Sequence, residues 1–246
     1  MNDGSYIACG NDATSINPVI IKADASGQVT WVKTISSPST TIMLRAIDVG
    51  ECVGGGYYLF GIGAAQPSAY YYLSKIDILG NVLWTKTFDY FAPYSNPKFF
   101  QKPNGYFVII PALYSGTGII TLDANGNYLW GKMFTDDPKC PGFAGASCTD
   151  GGTIISGKDG SDILIIKMDA NGTVQWSARY QDVNLYSQTR VILQTQDGNY
   201  FIAGLREDVA LTFSGSFAMK IDANGNTLWH KLNFRSGLFL LQQNEC

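Results

Sequence analysis

Residues able to do acid–base or nucleophilic chemistry are few in this chain of 246 residues. The single histidine, His230, directly follows Trp229. Val32, Thr85, Gly131 and Ser177 stand at the matching place after the other tryptophans, so the position accepts side chains with no proton chemistry. No serine or cysteine is spaced to pair with His230, which leaves nucleophilic catalysis without a candidate. Glycoside hydrolysis needs two converging carboxylates, and the segments that read as inner strands offer Asp48 and little else. No catalytic residue and no cofactor is assigned.

Oxygen donors are more regular. Asp24-Ala-Ser-Gly27, Asp77-Ile-Leu-Gly80, Asp123-Ala-Asn-Gly126, Asp169-Ala-Asn-Gly172 and Asp222-Ala-Asn-Gly225 repeat one phrase, each with a Trp seven residues after its Asp. Alternating oxygens suggest a Ca²⁺ loop, yet the later bidentate Glu and the acidic run of such a loop are missing. Asp77-Ile-Leu-Gly80 loses a ligand while keeping the turn. A hairpin turn accounts for every copy, because Gly supplies a positive φ and Asp accepts from the turn's own amides, so no metal site is assigned. Of the five cysteines, Cys140 and Cys148 are spaced to close a disulfide around one loop, while Cys9, Cys52 and Cys246 lie near Gly-rich turns. Buried thiols acting as small apolar side chains are the simpler reading. The sequon Asn171-Gly-Thr173 falls inside a structural turn.

The elements that carry these residues follow from the same repeat. Trp31, Trp84, Trp130, Trp176 and Trp229 are 53, 46, 46 and 53 residues apart, one supersecondary unit each. A unit runs from a Gly-rich turn into an aromatic stretch such as Tyr57-Tyr-Leu-Phe60, and then into a run ending in the Asp-x-x-Gly turn. The Trp-bearing run comes last. A further short run precedes each Gly-rich turn (Arg45–Asp48, Lys98–Gln101, 143–148, Arg190–Gln194), so each unit predicts four strands, and nothing has helical periodicity. The first unit lacks that leading strand, and Leu240-Leu241-Gln242 resembles it. This pattern predicts a single all-β domain over 1–246: a five-bladed β-propeller of four-stranded antiparallel blades, its ring closed by the C-terminal strand. The blades are 5–35 plus 238–244, 43–89, 97–134, 143–180 and 188–234. Lys two residues before the turn Asp (Lys22, Lys75, Lys167, Lys220) and two after Trp (Lys33, Lys86, Lys132, Lys231) reads as outer-strand structure, with Trp filling the joint between blades and each ammonium in water.

Composition excludes several classes of function. Aromatics at 13% and apolar residues at 46%, against 15% charged, give an ample core. A net charge of -3 with scattered Lys and Arg offers no basic footprint for nucleic acid. The longest apolar stretches are strand-length, so no membrane insertion is expected, and Met1-Asn-Asp-Gly does not read as a secretory signal.

Asp-Gly-x-Tyr-x-x-x-Gly followed by Lys-x-Asp-x-x-Gly-x-x-x-Trp-x-Lys resembles the β-propeller repeats of bacterial secreted and surface proteins over essentially the whole chain. In blade number and size the chain is also similar to the tachylectin-type five-bladed sugar-binding propeller, without a shared binding motif. The first resemblance implies surface display, adhesion or scaffolding, and an extracellular or cell-surface location. Recognition sits on variable loops held by a rigid scaffold, and the variable connections carry Tyr90, Tyr94, Asp136, Asp137, Tyr186, Arg206 and Asp208. These are the expected contacts to a protein or glycan partner. The function expected is a non-enzymatic binding or scaffold module; the alternatives are a lectin and, more weakly, a glycosidase.

Overall fold

Five Asp-x-x-Gly turns fold alike because each Asp side chain organises its own hairpin. In the computed structural model Asp169 Oδ1 accepts from the backbone N–H of Asn171 at 2.9 Å and of Thr173 at 2.8 Å, while Gly172 N–H returns to Asp169 O at 3.1 Å. Asp24, Asp77, Asp123 and Asp222 repeat the pattern. In three turns the second carboxylate oxygen also takes the side-chain amide of Asn81, Asn127 or Asn226. These bonds occupy the oxygens that a cation would need, which favours a turn over a Ca²⁺ loop.

The structure describes residues 3–13, 17–36, 43–65, 68–90, 97–113, 116–134, 144–159, 162–181, 185–208 and 214–234. They form five antiparallel sheets. Sheet I holds β1 (Tyr6–Asn11), β2 (Pro18–Ala23) and β3 (Val29–Thr34); sheet II holds β4 (Met43–Glu51), β5 (Tyr57–Ala65), β6 (Ser68–Ile76) and β7 (Val82–Tyr90). Sheet III holds β8 (Lys98–Gln101), β9 (Phe107–Ile110), β10 (Ala112–Leu113), β11 (Gly116–Leu122) and β12 (Tyr128–Met133). β9 and β10 both pair with β11 and flank Pro111, which has no N–H for the ladder, so they are one strand position interrupted by proline. Sheet IV holds β13 (Ala144–Ser147), β14 (Thr153–Asp159), β15 (Asp162–Met168) and β16 (Val174–Tyr180); sheet V holds β17 (Leu185–Gln194), β18 (Tyr200–Asp208), β19 (Ser214–Ile221) and β20 (Thr227–Phe234). Sheet I has three strands among the described residues, and the segment 238–244 expected to complete it lies outside them.

The chain divides into two compact units. One comprises sheets I and II with residues 104–107 and 122–128; the other comprises the remainder of sheet III with sheets IV and V. In the first, Ile20, Leu44, Tyr57, Leu59, Tyr72 and Ile76 form a core against Trp31. In the second, Val108, Ile110, Ile119, Ile155, Leu164 and Ile166 form one core, and Ile154, Ile163, Ile165, Ile202, Phe217, Met219 and Ile221 another. β15 is buried on both faces: Ile163 and Ile165 serve one core and Leu164 and Ile166 the other, as period-two alternation demands. Each such side chain contributes roughly 1.5 to 3 kcal/mol when fully buried.

The Trp-x-Lys phrase has a specific role. A Cβ built on Gly126 would lie 2.8 Å from Trp84 and 3.2 Å from Lys86, and one on Gly172 would lie 2.5 Å from Trp130. Lys132 Nζ also donates to Gly172 O at 2.5 Å. The Trp-x-Lys phrases of Trp84 and Trp130 therefore grip the Gly of the next repeat's turn, Lys33 meets Gly80 in the same way, and the Trp176 ring lies 3.1 Å from a Cβ built on Gly225. The lysines that precede the turn Asp depart from the expectation of hydrated ammonium groups. Lys167 is 2% exposed, and its Nζ donates to Asp150 Oδ2 at 2.6 Å, Gln175 Oε1 at 2.8 Å and Met168 O at 3.0 Å. Lys220 pairs with Asp197 at 2.5 Å, and Lys22 approaches Asp3 at 3.8 Å. The partner in each case is the Asp of the preceding Gly-rich turn, which explains why the two phrases recur together. Cys148 is a free thiol, as are Cys9 and Cys52, and Cys140, its expected bridge partner, lies outside the described residues.

Candidate binding cleft between sheets IV and V

One unit departs from the clamp. After Trp176 the place of Lys is taken by Ala178, which removes a long side chain from that face of β16. Trp176 Nε1 instead donates to Ala223 O at 2.9 Å, and the Tyr180 hydroxyl, two residues beyond Ala178, donates to Gly225 O at 2.5 Å. Burial, helped by the negative charge of Asp222, pushes the Tyr180 hydroxyl up to about 12, so it stays protonated as a donor.

Beside these two bonds the sheets enclose a cleft of about 490 Å³. Its apolar wall is Ile163 of β15, Phe217 and Met219 of β19 and Leu232 of β20; its polar lining is Arg179, Tyr180, Gln181, Arg206, Thr227 and His230. The ladder accounts for the grouping. Gly204 pairs with Phe217 and Phe217 with Leu232, Met219 pairs with His230, and Ile163 pairs with Tyr180 across sheet IV. Arg206 follows Ile202 and Gly204 at period two on β18, bringing a cation to the end of a buried row. It is half-buried, with Nε shut off from solvent. None of the described residues lining the cleft is acidic.

A second polar group lies deeper in the same unit. Lys102 is 2% exposed, and burial is the main cause that draws its ammonium below the ordinary lysine range, with Cys148, Asp150, Lys167 and Asp169 acting on it electrostatically. Burial raises the Cys148 thiol, which hydrogen-bonds Tyr200. Burial opposes ionisation of Asp150 too, but the Lys167 bond and the Gly152 N–H outweigh it and hold the carboxyl low. Among the described residues no three His, Cys, Asp or Glu gather as metal ligands.

Of the residues expected from sequence to meet a partner, Arg206 lines the cleft, but from strand β18 rather than from a loop. Tyr186 and Asp208 are also strand residues, opposite Glu207 and Leu185, because β17 and β18 extend further than the apolar runs suggest. Tyr90 ends β7 opposite Ala69. Tyr94, Asp136 and Asp137 lie outside the described residues. Sequence reasoning missed Arg179 and His230 as cleft residues, because they come together only where sheets IV and V pack.

Five antiparallel sheets of this kind define a β-propeller-type, all-β protein. Solved structures agree. The chain is similar to a protein from Lactobacillus plantarum, at TM-score 0.64 and 12% identity over 95% of this chain and 69% of that one. It is similar to prolyl oligopeptidase B from Galerina marginata, at TM-score 0.57 and 11% identity over 94% of this chain but 33% of the enzyme. The periplasmic gluconolactonase of Pseudomonas aeruginosa matches at TM-score 0.52 and 16% identity over 89% of this chain and 66% of that one. At such identities the likeness concerns the fold alone. No family model and no curated protein matches the sequence.

Proposed function

We propose that this chain is a non-enzymatic binding or scaffold module of a bacterial surface or secreted protein, and that it contacts a macromolecular partner through the ends of its sheets where the connections vary. Its five sheets form a ring in this reading, with 238–244 pairing along β1. The observation that carries the binding reading is the cleft at Arg206: an apolar wall with cationic and hydrogen-bonding groups beside it suits recognition. The absence of acidic groups from its described lining gives a two-carboxylate hydrolysis no footing there. A repeated-site lectin is disfavoured by how the repeat is used. The Trp84 and Trp130 rings pack on glycines, and the turn aspartates bond their own amides, so neither repeated group presents itself to a sugar.

The test is a photo-crosslinking amino acid placed at position 206 or, as a control, at position 125 in a short turn. A discrete partner adduct from position 206 and none from 125 is expected, with a glycan array showing no sugar-competed binding. Equal adducts from both positions, or a strong array signal, would overturn this reading.

A further inference from the structure

Five arginines serve this chain of net charge -3, and two of them line one cleft. We propose that the cleft between sheets IV and V binds an organic anion, a carboxylate carried on an apolar or aromatic body, with Arg206 and Arg179 holding the carboxylate and Phe217 and Met219 seating the body. This inference rests on the chain being a binding module and names the chemistry of its ligand.

Three observations carry it. The cleft, at about 490 Å³, lies within the 300 to 1,000 Å³ of small-ligand sites, large enough for an aromatic or short aliphatic acid. The wall is built for an apolar body: Phe217 is 6% and Met219 5% exposed in the packed sheet, and methionine adapts to irregular shapes. The cations stand beside that wall. A guanidinium presents five donors in a planar fork that matches a carboxylate, and the half-buried setting of Arg206 strengthens such a pair over one in water. Asp222, whose charge bears on Tyr180, has oxygens that already accept from the Asn224 and Asn226 amides and the Asn226 side chain. Sheet IV alone carries Ala in place of Lys after Trp.

The test uses the purified full chain, isotope-labelled, titrated by NMR with 3-phenylpropionate, its neutral amide 3-phenylpropionamide, and inorganic phosphate. The acid should shift amides of β16, β18, β19 and β20, with the amide and phosphate each at least tenfold weaker. Arg206→Met and Arg179→Met should each weaken the acid at least fivefold, while Arg190→Met, an exposed arginine bonded to Gln188 outside the cleft, should leave it unchanged. Arg179→Met, at an exposed position, keeps the test valid if Arg206→Met does not fold. The proposal is overturned if the amide binds as well as the acid, if phosphate alone matches it, if both arginine variants bind normally, or if no cleft amide shifts. A failed crosslink at position 206 with an intact acid-over-amide preference would instead remove the macromolecular partner and keep the anion site.

Discussion

Gly172→Ala isolates the grip of one unit on the next. Gly172 has φ +79°, and an added Cβ would lie 2.5 Å from Trp130 Cη2 and Cζ2, inside the closest approach real atoms make. Gly198, in the same unit, has φ +81° and nothing within 4 Å of its added Cβ. Both variants incur the left-handed backbone cost of an L-residue, about 1 to 2 kcal/mol. Gly172→Ala alone must also displace a tryptophan ring, an overpacking cost of about 1 to 3 kcal/mol. It should therefore destabilise by about 2 to 5 kcal/mol, against about 1 to 2 for Gly198→Ala. Trp130→Ala should itself cost about 3 kcal/mol, the lower part of the range for Trp because the ring is half-buried. In that background the excess cost of Gly172→Ala should vanish, giving a coupling of about 1 to 3 kcal/mol. Urea unfolding followed by far-ultraviolet circular dichroism reads all four variants without relying on tryptophan fluorescence. Equal costs for Gly172→Ala and Gly198→Ala, or additivity with Trp130→Ala, would refute the clamp.

Asp150→Ala strands the buried Lys167 ammonium and should cost about 3 kcal/mol, at the low end for a buried pair because Asp150 is 47% exposed; Lys167→Met should cost less, and the reverse order in urea melts would exclude the pairing as drawn. Because the Asp150 carboxyl is held below its usual value of 3.8, its contribution is full above that pH and is lost as pH falls through the folded value, so Lys167→Met should flatten the acid limb of a stability–pH curve. Burial raises the Cys9 and Cys52 thiols from 9.0 to about 11, so their contribution is full below pH 9 and lost as pH rises through 11; alkylation with iodoacetamide at pH 8 should be slow in the native state and become fast in urea, and fast native labelling would contradict the burial. Deleting 238–246 should lower the melting temperature in a single cooperative step if that segment completes sheet I, and an unchanged melt would remove the closure.

The strand content and the five hairpins were legible in the sequence, because the period-two runs and the Asp-x-x-Gly phrases act within a few residues. The Asp-to-amide bonds span two to four positions and form in any copy of the phrase. The length of the strands was less legible. β17 and β18 carry Tyr186, Arg206 and Asp208 into the ladder although their hydrophobic patterns stop earlier, since backbone pairing continues wherever the partner strand does. Lys22, Lys167 and Lys220, two residues before their turn Asp, misled because a long cation reads as hydrated until the partner carboxylate, seventeen residues away for Lys167 and Asp150, is brought beside it.

What the chain determines by itself is the unit: four runs, a turn that closes on its own carboxylate, and a Trp-x-Lys pair at fixed offset. What only the tertiary structure decides is what that pair meets. Trp130 finds Gly172 forty-two residues on, and where Ala178 replaces the lysine the next sheet is held by Tyr180 and a cleft stays open beside it. Local hydrogen bonds depend on neighbours in sequence, whereas the cleft depends on the packing of two sheets, so Arg179, Arg206 and His230 come together at one site only when sheets IV and V do.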